Sequence, residues 1–108
     1  MSDTNDTNDT NAASNSGAPL DTAARPKLNK LFRMQWEPAQ DAHVLLYPEG
    51  MVKLNQTAAE ILKRCDGAHD VAAIVGDLER SFNATGIAPE VEAFIAHAFA
   101  RGWLEHSA

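Results

Sequence analysis

The sequence predicts an α+β domain in which a three-stranded antiparallel sheet is followed by three helices, in the order βββααα. Apolar and polar residues alternate over 30–37 and again in the stretch that follows, which is typical of half-buried strands. After residue 57 the apolar residues recur every three or four positions, which is the spacing of amphipathic helices. The links between the predicted strands are too short for parallel crossovers, so we expect an antiparallel meander.

The three strands are expected over residues 30–37, 43–47 and 51–55. In the first strand the apolar face is formed by Phe32, Met34 and Trp36. Pro48 presets the φ angle needed in a tight turn at 47–50, and this turn connects the second and third strands. In the third strand Val52 and Leu54 alternate with longer or polar side chains, so one face is apolar and the other is mixed.

The three helices are marked by their end signals. Thr57 and Glu60 have the spacing of a capping box, and Gly67 is expected to end the first helix. Asp70 is the expected N-cap of the second helix, and Pro89 suits the first turn of the third. The expected apolar positions are Ile61, Leu62 and Cys65, then Val71, Ile74, Val75, Leu78 and Phe82, then Val91, Phe94, Ile95, Ala98 and Phe99. This arrangement resembles a winged helix-turn-helix, with Gly102 as the last stop and Trp103 folding back.

The chain divides into a polar tail and one folded domain. Residues 1–24 repeat Asp-Thr-Asn, contain no Lys or Arg before Arg25, and offer too little apolar surface to fold. We expect them to be a disordered tail or a former linker from a fusion, and the domain to occupy 25–108. We expect a cytoplasmic protein, because the one cysteine excludes an internal disulfide and no apolar run is long enough to span a membrane.

The sequence offers little chemistry of its own. The four histidines are dispersed, and no pair has metal-ligand spacing on one element. Cys65 lies on an apolar stripe, so a buried structural thiol is the expected state. No nucleophile with a neighbouring base and no glycine-rich phosphate loop is present. We therefore expect neither enzymatic activity nor a bound metal or cofactor.

Two other functions remain as alternatives. Winged helices often bind DNA, but the third predicted helix presents Glu90, Glu92 and a single Arg101. The domain from Arg25 onward has eleven acidic against nine basic residues and lacks the basic balance expected of a DNA-binding protein, so nucleic-acid binding is kept as an alternative function. A structural subunit of a larger enzyme is the other alternative.

Three runs in the sequence resemble a known family. They are MQWEPAQD at 34–41, HVLLYPEGMVKLN at 43–55 and TAAEILKRCDG at 57–67, and the ending GWLE at 102–105 is also similar. The pattern resembles the pyrroloquinoline quinone (PQQ) biosynthesis protein D family and covers nearly all of the chain from Arg25 onward. The tail has no counterpart in it.

The resemblance implies a non-catalytic peptide chaperone. Members of this family bind the ribosomally made precursor peptide of PQQ and present it to a radical SAM enzyme, which carries its own iron–sulfur clusters. The same domain serves as a recognition element for the leader peptides of other ribosomally made, modified peptides (RiPPs). A monomer or weak homodimer is expected.

The precursor peptide is expected to add as an antiparallel strand along the third strand, because an edge strand has unpaired amides and carbonyls. The strand positions are Met51, Val52, Lys53, Leu54 and Asn55, and the opposite wall of the groove is expected from Ile95, Ala98 and Phe99. The alternative is that the apolar members of this set fill the core. Arg101 and Trp103 are the expected contacts of the partner enzyme, with a core position as the alternative for Trp103.

Overall fold

The computed structural model describes residues 20–107. The expected α+β order is confirmed, and two short strands are added to it. The elements are β1 (Pro26–Leu28), β2 (Arg33–Glu37), β3 (Ala42–Tyr47), β4 (Gly50–Lys53), α1 (Gln56–Lys63), α2 (Val71–Ser81), α3 (Ala88–Ala100) and β5 (Leu104–His106). The predicted third strand is thus β4, and it ends two residues earlier than expected.

The main sheet is antiparallel, with the strand order β2-β3-β4. Met34, Leu45 and Val52 are cross-strand partners and therefore share one face of the sheet. Leu45 has no exposed surface and belongs to the core cluster with residues of all three helices, so the helices cover this face. Trp36 lies on the same face but is 49% exposed, because it sits near the end of the sheet beyond the covered part.

The second sheet pairs β1 with β5 and was not predicted. Each strand has three residues, which is too short for a recognisable alternation. β1 also bonds to the α1–α2 connection, where the amide of Gly67 donates to the carbonyl of Pro26 at 3.0 Å. The amide of Asn29 donates to the carbonyl of Trp103 at 2.8 Å, so the two ends of the domain are joined.

Both predicted ends of α1 are wrong. The N-cap is Asn55, whose side-chain oxygen accepts from the amide of Ala58 at 2.8 Å, and not Thr57. Glu60 does not complete a capping box because its carboxylate bonds to basic side chains one turn further on. The helix ends at Lys63, and Gly67, with φ of +82°, lies in the loop that follows.

The other two helices largely follow the prediction. Asp70 caps α2 by accepting from the amide of Ala73 at 2.8 Å, and Gly102 follows α3 with φ of +80°. The buried apolar residues on these helices are Val71, Ile74, Val75, Leu78, Val91, Ile95 and Ala98. Phe82 was expected on the apolar face of α2, but it is the C-cap residue and is 49% exposed.

The packed chain begins before the expected boundary at Arg25. The carbonyl of Ala24 accepts from the amide of Val71 at 3.0 Å, and that of Thr22 accepts from Ala72 at 3.1 Å. Leu20 packs against the core. The last residues of the expected tail are therefore bound to the start of α2, whereas residues 1–19 lie outside the described part and their state stays a prediction.

Candidate functional site

The predicted peptide-binding strand, β4, is an edge strand of the main sheet. β4 is the last strand in the order β2-β3-β4, so only one of its edges pairs within residues 20–107. The amide of Leu54 donates inward to the carbonyl of His43 at 2.9 Å. Because hydrogen bonding alternates along an antiparallel strand, Val52 also points its amide and carbonyl inward, whereas those of Met51 and Lys53 point outward.

The side chains of β4 follow the same alternation between the two faces. Val52 is half-buried against the core, and Leu54, just after the strand, is 4% exposed. Met51 and Lys53 lie on the opposite face and are exposed. A strand placed along this edge would find an apolar neighbour at Val52 on the inner face and a solvated surface on the outer one.

Asn55 has a structural role at the end of this edge. Its side-chain oxygen caps α1 and fixes the direction in which the chain leaves the sheet. Asn55 was predicted as the last peptide-binding position of the third strand; it lies beyond the end of β4 at Lys53, and its peptide contact stays a prediction.

Two of the three residues predicted for the opposite wall of the groove are fully buried. Ile95 and Ala98 have no exposed surface, so they belong to the core and do not line an open groove. Phe99 is half-buried and stacks on His106, with ring centroids 4.3 Å apart and planes inclined by 17°. The main packing partners of α3 are β5 and the other two helices, so its buried stripe is used there.

The two residues expected to meet the partner enzyme differ in exposure. Trp103 is 8% exposed and packs beside Phe94 and His97, with ring centroids 6.3 and 5.6 Å away. This burial supports the core alternative and contradicts a direct contact through the Trp103 ring. Arg101 is exposed, and its guanidinium lies 6.0 Å from the centre of the Trp103 ring.

A cleft of about 480 Å³ lies at the C-terminal end of β4. Its lining includes Trp36 and His43, and neither residue was predicted to belong to a binding site. Trp36 and His43 are cross-strand partners whose rings meet edge to face at 5.2 Å. Lys53 and Asn55 form the side of the cleft nearest to the β4 edge. The exposed ring of Trp36 was missed because alternation alone predicts a face and does not predict where the helices stop covering it.

The charged groups near the site are paired in ways that stabilise the helices. Hydrogen bonding to Arg64, and to a lesser extent to Lys63, lowers the pKa of Glu60. Arg64 also bridges to Asp77 on α2 and lowers the pKa of that carboxyl group. This network joins α1 to α2 and is typical of structure rather than of acid–base catalysis.

The one cysteine is held in an unreactive state. Cys65 is 4% exposed, and its thiol lies 3.3 Å from the carbonyl oxygen of Ile61. Burial, with a smaller effect of Asp66, raises the pKa of the thiol to about 12. Since the thiolate is the nucleophile, this confirms the prediction of a buried structural thiol, although Cys65 lies just beyond α1.

No group of three or more potential metal-binding side chains occurs within the described residues. The described helices are also too short or too polar to cross a bilayer. The geometry therefore offers main-chain hydrogen bonds and apolar contacts along one strand edge, and these are the means by which an extended peptide is bound.

Comparisons with known proteins identify the family of this chain. Residues 42–104 match the family described as "Coenzyme PQQ synthesis protein D (PqqD)". A relative from Methylococcus capsulatus, named PqqA binding protein, is 51% identical over 78 residues, which cover 72% of this chain and 84% of the relative. A relative of the same name from Pseudomonas aeruginosa is 57% identical over 81 residues, covering 74% and 88%. The chain belongs to the PqqD family, and the resemblance noted in the sequence is confirmed.

A solved structure supports the same assignment. The solution NMR structure of the PqqD truncation of Methylobacterium extorquens PqqCD matches with a TM-score of 0.63 and 28% identity. The match covers 82% of this chain and 95% of the other. That protein is described as a functional, stand-alone RiPP recognition element. The relatives are thus named for binding and recognition and not for catalysis.

Proposed function

We propose that this protein binds the precursor peptide of PQQ as an added strand along β4 and presents it to a radical SAM enzyme in the cytoplasm. Support for the ligand comes from the relatives that are named PqqA binding protein. Support for the type of recognition comes from the matching domain described as a RiPP recognition element. The choice of the modifying enzyme rests on the family resemblance alone.

The observation that carries the proposal is the alternation of hydrogen bonding in β4. Met51 and Lys53 each direct one amide and one carbonyl outward, as the inward bond from Leu54 to His43 requires. An antiparallel peptide strand can therefore form up to about four main-chain hydrogen bonds here, each worth about 1 kcal/mol net. These bonds hold the peptide as a strand without reading its sequence.

Sequence preference has to come from side chains beside the edge. Val52 is half-buried on the inner face, so a peptide side chain directed inward would contact it and gain apolar burial. Lys53 on the outer face adds a modest attraction for an acidic peptide, and salt screens this attraction. We therefore expect apolar residues at every second position of the bound segment.

A pair of proline substitutions tests the strand addition. Lys53→Pro removes an outward amide and should leave the fold intact while weakening peptide binding by at least about tenfold, since a donor is lost and the edge is distorted. Val52→Pro removes an inward bond of the ladder to β3 and should unfold the sheet. The measurements are the peptide Kd by calorimetry and the thermal melting curve.

Two folded proline variants with unchanged Kd would overturn the proposal. If Lys53→Pro does not fold, strand addition is tested instead with the wild-type protein and peptides that are N-methylated at one amide at a time. Strand addition predicts an affinity loss at every second position, because only alternate peptide amides face β4. A uniform loss, or no loss, would contradict it.

Presentation to an enzyme requires a surface that stays free while β4 is occupied. Arg101 is exposed at the end of α3 and remains a candidate for this contact. Arg101→Glu should weaken binding of the radical SAM enzyme several-fold and leave the peptide Kd unchanged, because rim charges mainly affect encounter. If the wild type and Arg101→Glu bind the enzyme equally well, Arg101 is not part of the contact.

A further inference from the structure

A second cleft, of about 260 Å³, lies where the beginning of α1, the end of α2 and the beginning of α3 meet. Its apolar lining includes Leu78, Val91 and the ring of Phe82. Phe82 is one of the few large apolar side chains of the described chain that are about half exposed, at 49%. Phe82 does not belong to the core, because the last buried residue of α2 is Leu78.

The rim of this cleft is acidic. Glu60 and Glu90 both line it. Glu60 is neutralised by Lys63 at 3.0 Å and by Arg64 at 2.9 Å. Glu90 forms no ion pair with any cation of residues 20–107 and is exposed. An apolar pocket beside a carboxylate that has no cationic partner among residues 20–107 suits an apolar side chain with a positive group next to it.

This cleft shares two lining residues, Gln56 and Glu60, with the cleft that Lys53 lines at the end of β4. Gln56 and Thr57, which line it, follow the last residue of β4 after a short link that contains the cap Asn55. A strand added antiparallel to β4 has its N-terminal end beside Lys53, because that is where β4 ends. The peptide residues that precede the paired segment would therefore leave β4 on the side where the chain continues to Gln56 and the cleft.

We propose that this cleft binds the part of the precursor peptide that precedes its strand-paired segment. The cleft would hold one apolar side chain against Phe82, with an adjacent basic group, a Lys or Arg side chain or the peptide's α-amino group, facing Glu90. This inference rests on the proposed function and adds a side-chain anchor to the main-chain bonds. It would give the domain a preference for one register of the peptide.

The test compares three variants against two synthetic precursor peptides. One peptide is complete, and the other lacks the residues before the strand-paired segment. The protein variants are Phe82→Ala, Glu90→Lys and the control Glu92→Lys, which makes the same charge change on the same helix at a residue that does not line the cleft. Affinities are measured at low and at high salt, and thermal melting checks that each variant is folded.

For the complete peptide we expect Phe82→Ala to weaken binding by about tenfold and Glu90→Lys by about fivefold at low salt. Glu92→Lys should stay within about twofold. The shortened peptide should bind more weakly to the wild type and be insensitive to both cleft substitutions. Glu90→Gln, which keeps the size of the side chain, replaces Glu90→Lys if the latter lowers the melting temperature, with about half the effect on log Kd expected.

Equal losses for the complete and the shortened peptide would overturn the inference, as would equal effects of Glu90→Lys and Glu92→Lys. Unchanged affinity in Phe82→Ala would do the same. In each of these results the wild type still binds peptide and the strand addition stands. Failure of the wild type to bind either peptide would instead contradict the proposed function itself.

Discussion

Replacing Trp103 by alanine tests whether this residue belongs to the core or to a contact surface. The side chain is 8% exposed and lies beside Phe94 and His97. The backbone carbonyl of Trp103 accepts from the amide of Asn29, so this part of the backbone also joins the two ends of the domain. Trp103→Ala leaves these backbone bonds possible but removes a large buried ring.

The expected cost is about 3–5 kcal/mol, the usual range for removing a buried aromatic side chain. Domains of this size have a total stability of roughly 5–15 kcal/mol, so a large part of it would be lost. At about 4 °C per kcal/mol or more, the melting temperature should fall by at least roughly 12 °C. Thermal and urea unfolding followed by circular dichroism measure both quantities.

The control is Trp36→Ala, since this tryptophan is 49% exposed and its ring meets that of His43 edge to face. It should cost about 1 kcal/mol or less. The core assignment would be refuted if Trp103→Ala melted at the wild-type temperature. It would also be refuted if the two variants lost equal stability.

Three other substitutions or conditions test the local structure. Asn55→Ala should lower the free energy of unfolding by about 1 kcal/mol, measured with urea, because it removes the cap of α1. Thr57→Ala should leave it nearly unchanged. A larger loss in Thr57→Ala than in Asn55→Ala would support the predicted capping box instead. The Cys65 thiol, with its pKa raised to about 12, should react with a disulfide reagent at pH 8 only when denaturant unfolds the chain, and rapid reaction of the native protein would contradict its burial. Because Arg64 lowers the pKa of Glu60 and Asp77 from their ordinary values of 4.5 and 3.8, their contribution to stability is present above these values and is lost as the pH falls below them. Arg64→Gln should flatten this acid limb of the stability curve, and an unchanged limb would refute the network.

Signals that depend on neighbouring residues in the chain were enough to predict the main architecture. The alternation around Val52 and the turn at Pro48 gave β4 and its hairpin, because both depend on local backbone preferences. Asp70 and Gly102 were correctly assigned as helix-end signals for the same reason. The edge position of β4 followed from the short connections, which allow only a meander.

Features that depend on distant partners were not predictable in this way. β1 and β5 are far apart in the chain, and neither strand is long enough to show a pattern. The start of α1 was predicted two residues too late because Asn55 and Thr57 are both good cap residues. Which of them caps the helix depends on where β4 ends.

The candidate site shows the same division. The strand positions followed from the alternation, but the opposite wall required knowledge of how α3 packs. Ile95 and Ala98 share the apolar stripe of α3 with Phe99, and the sequence does not distinguish fully buried members from half-buried ones. The cleft beside Phe82 was missed because the apolar spacing of α2 continues to Phe82 although the core does not.

The central claim is that the peptide pairs with the outward amides of β4, and amide hydrogen exchange of this strand tests it most directly. In the free protein Val52 should be protected, whereas Met51 and Lys53 should exchange quickly, because their amides face solvent. Saturation with precursor peptide should slow exchange at Met51 and Lys53 by at least about tenfold and change Val52 much less. A bound complex in which Met51 and Lys53 still exchange as fast as in the free protein would contradict the account.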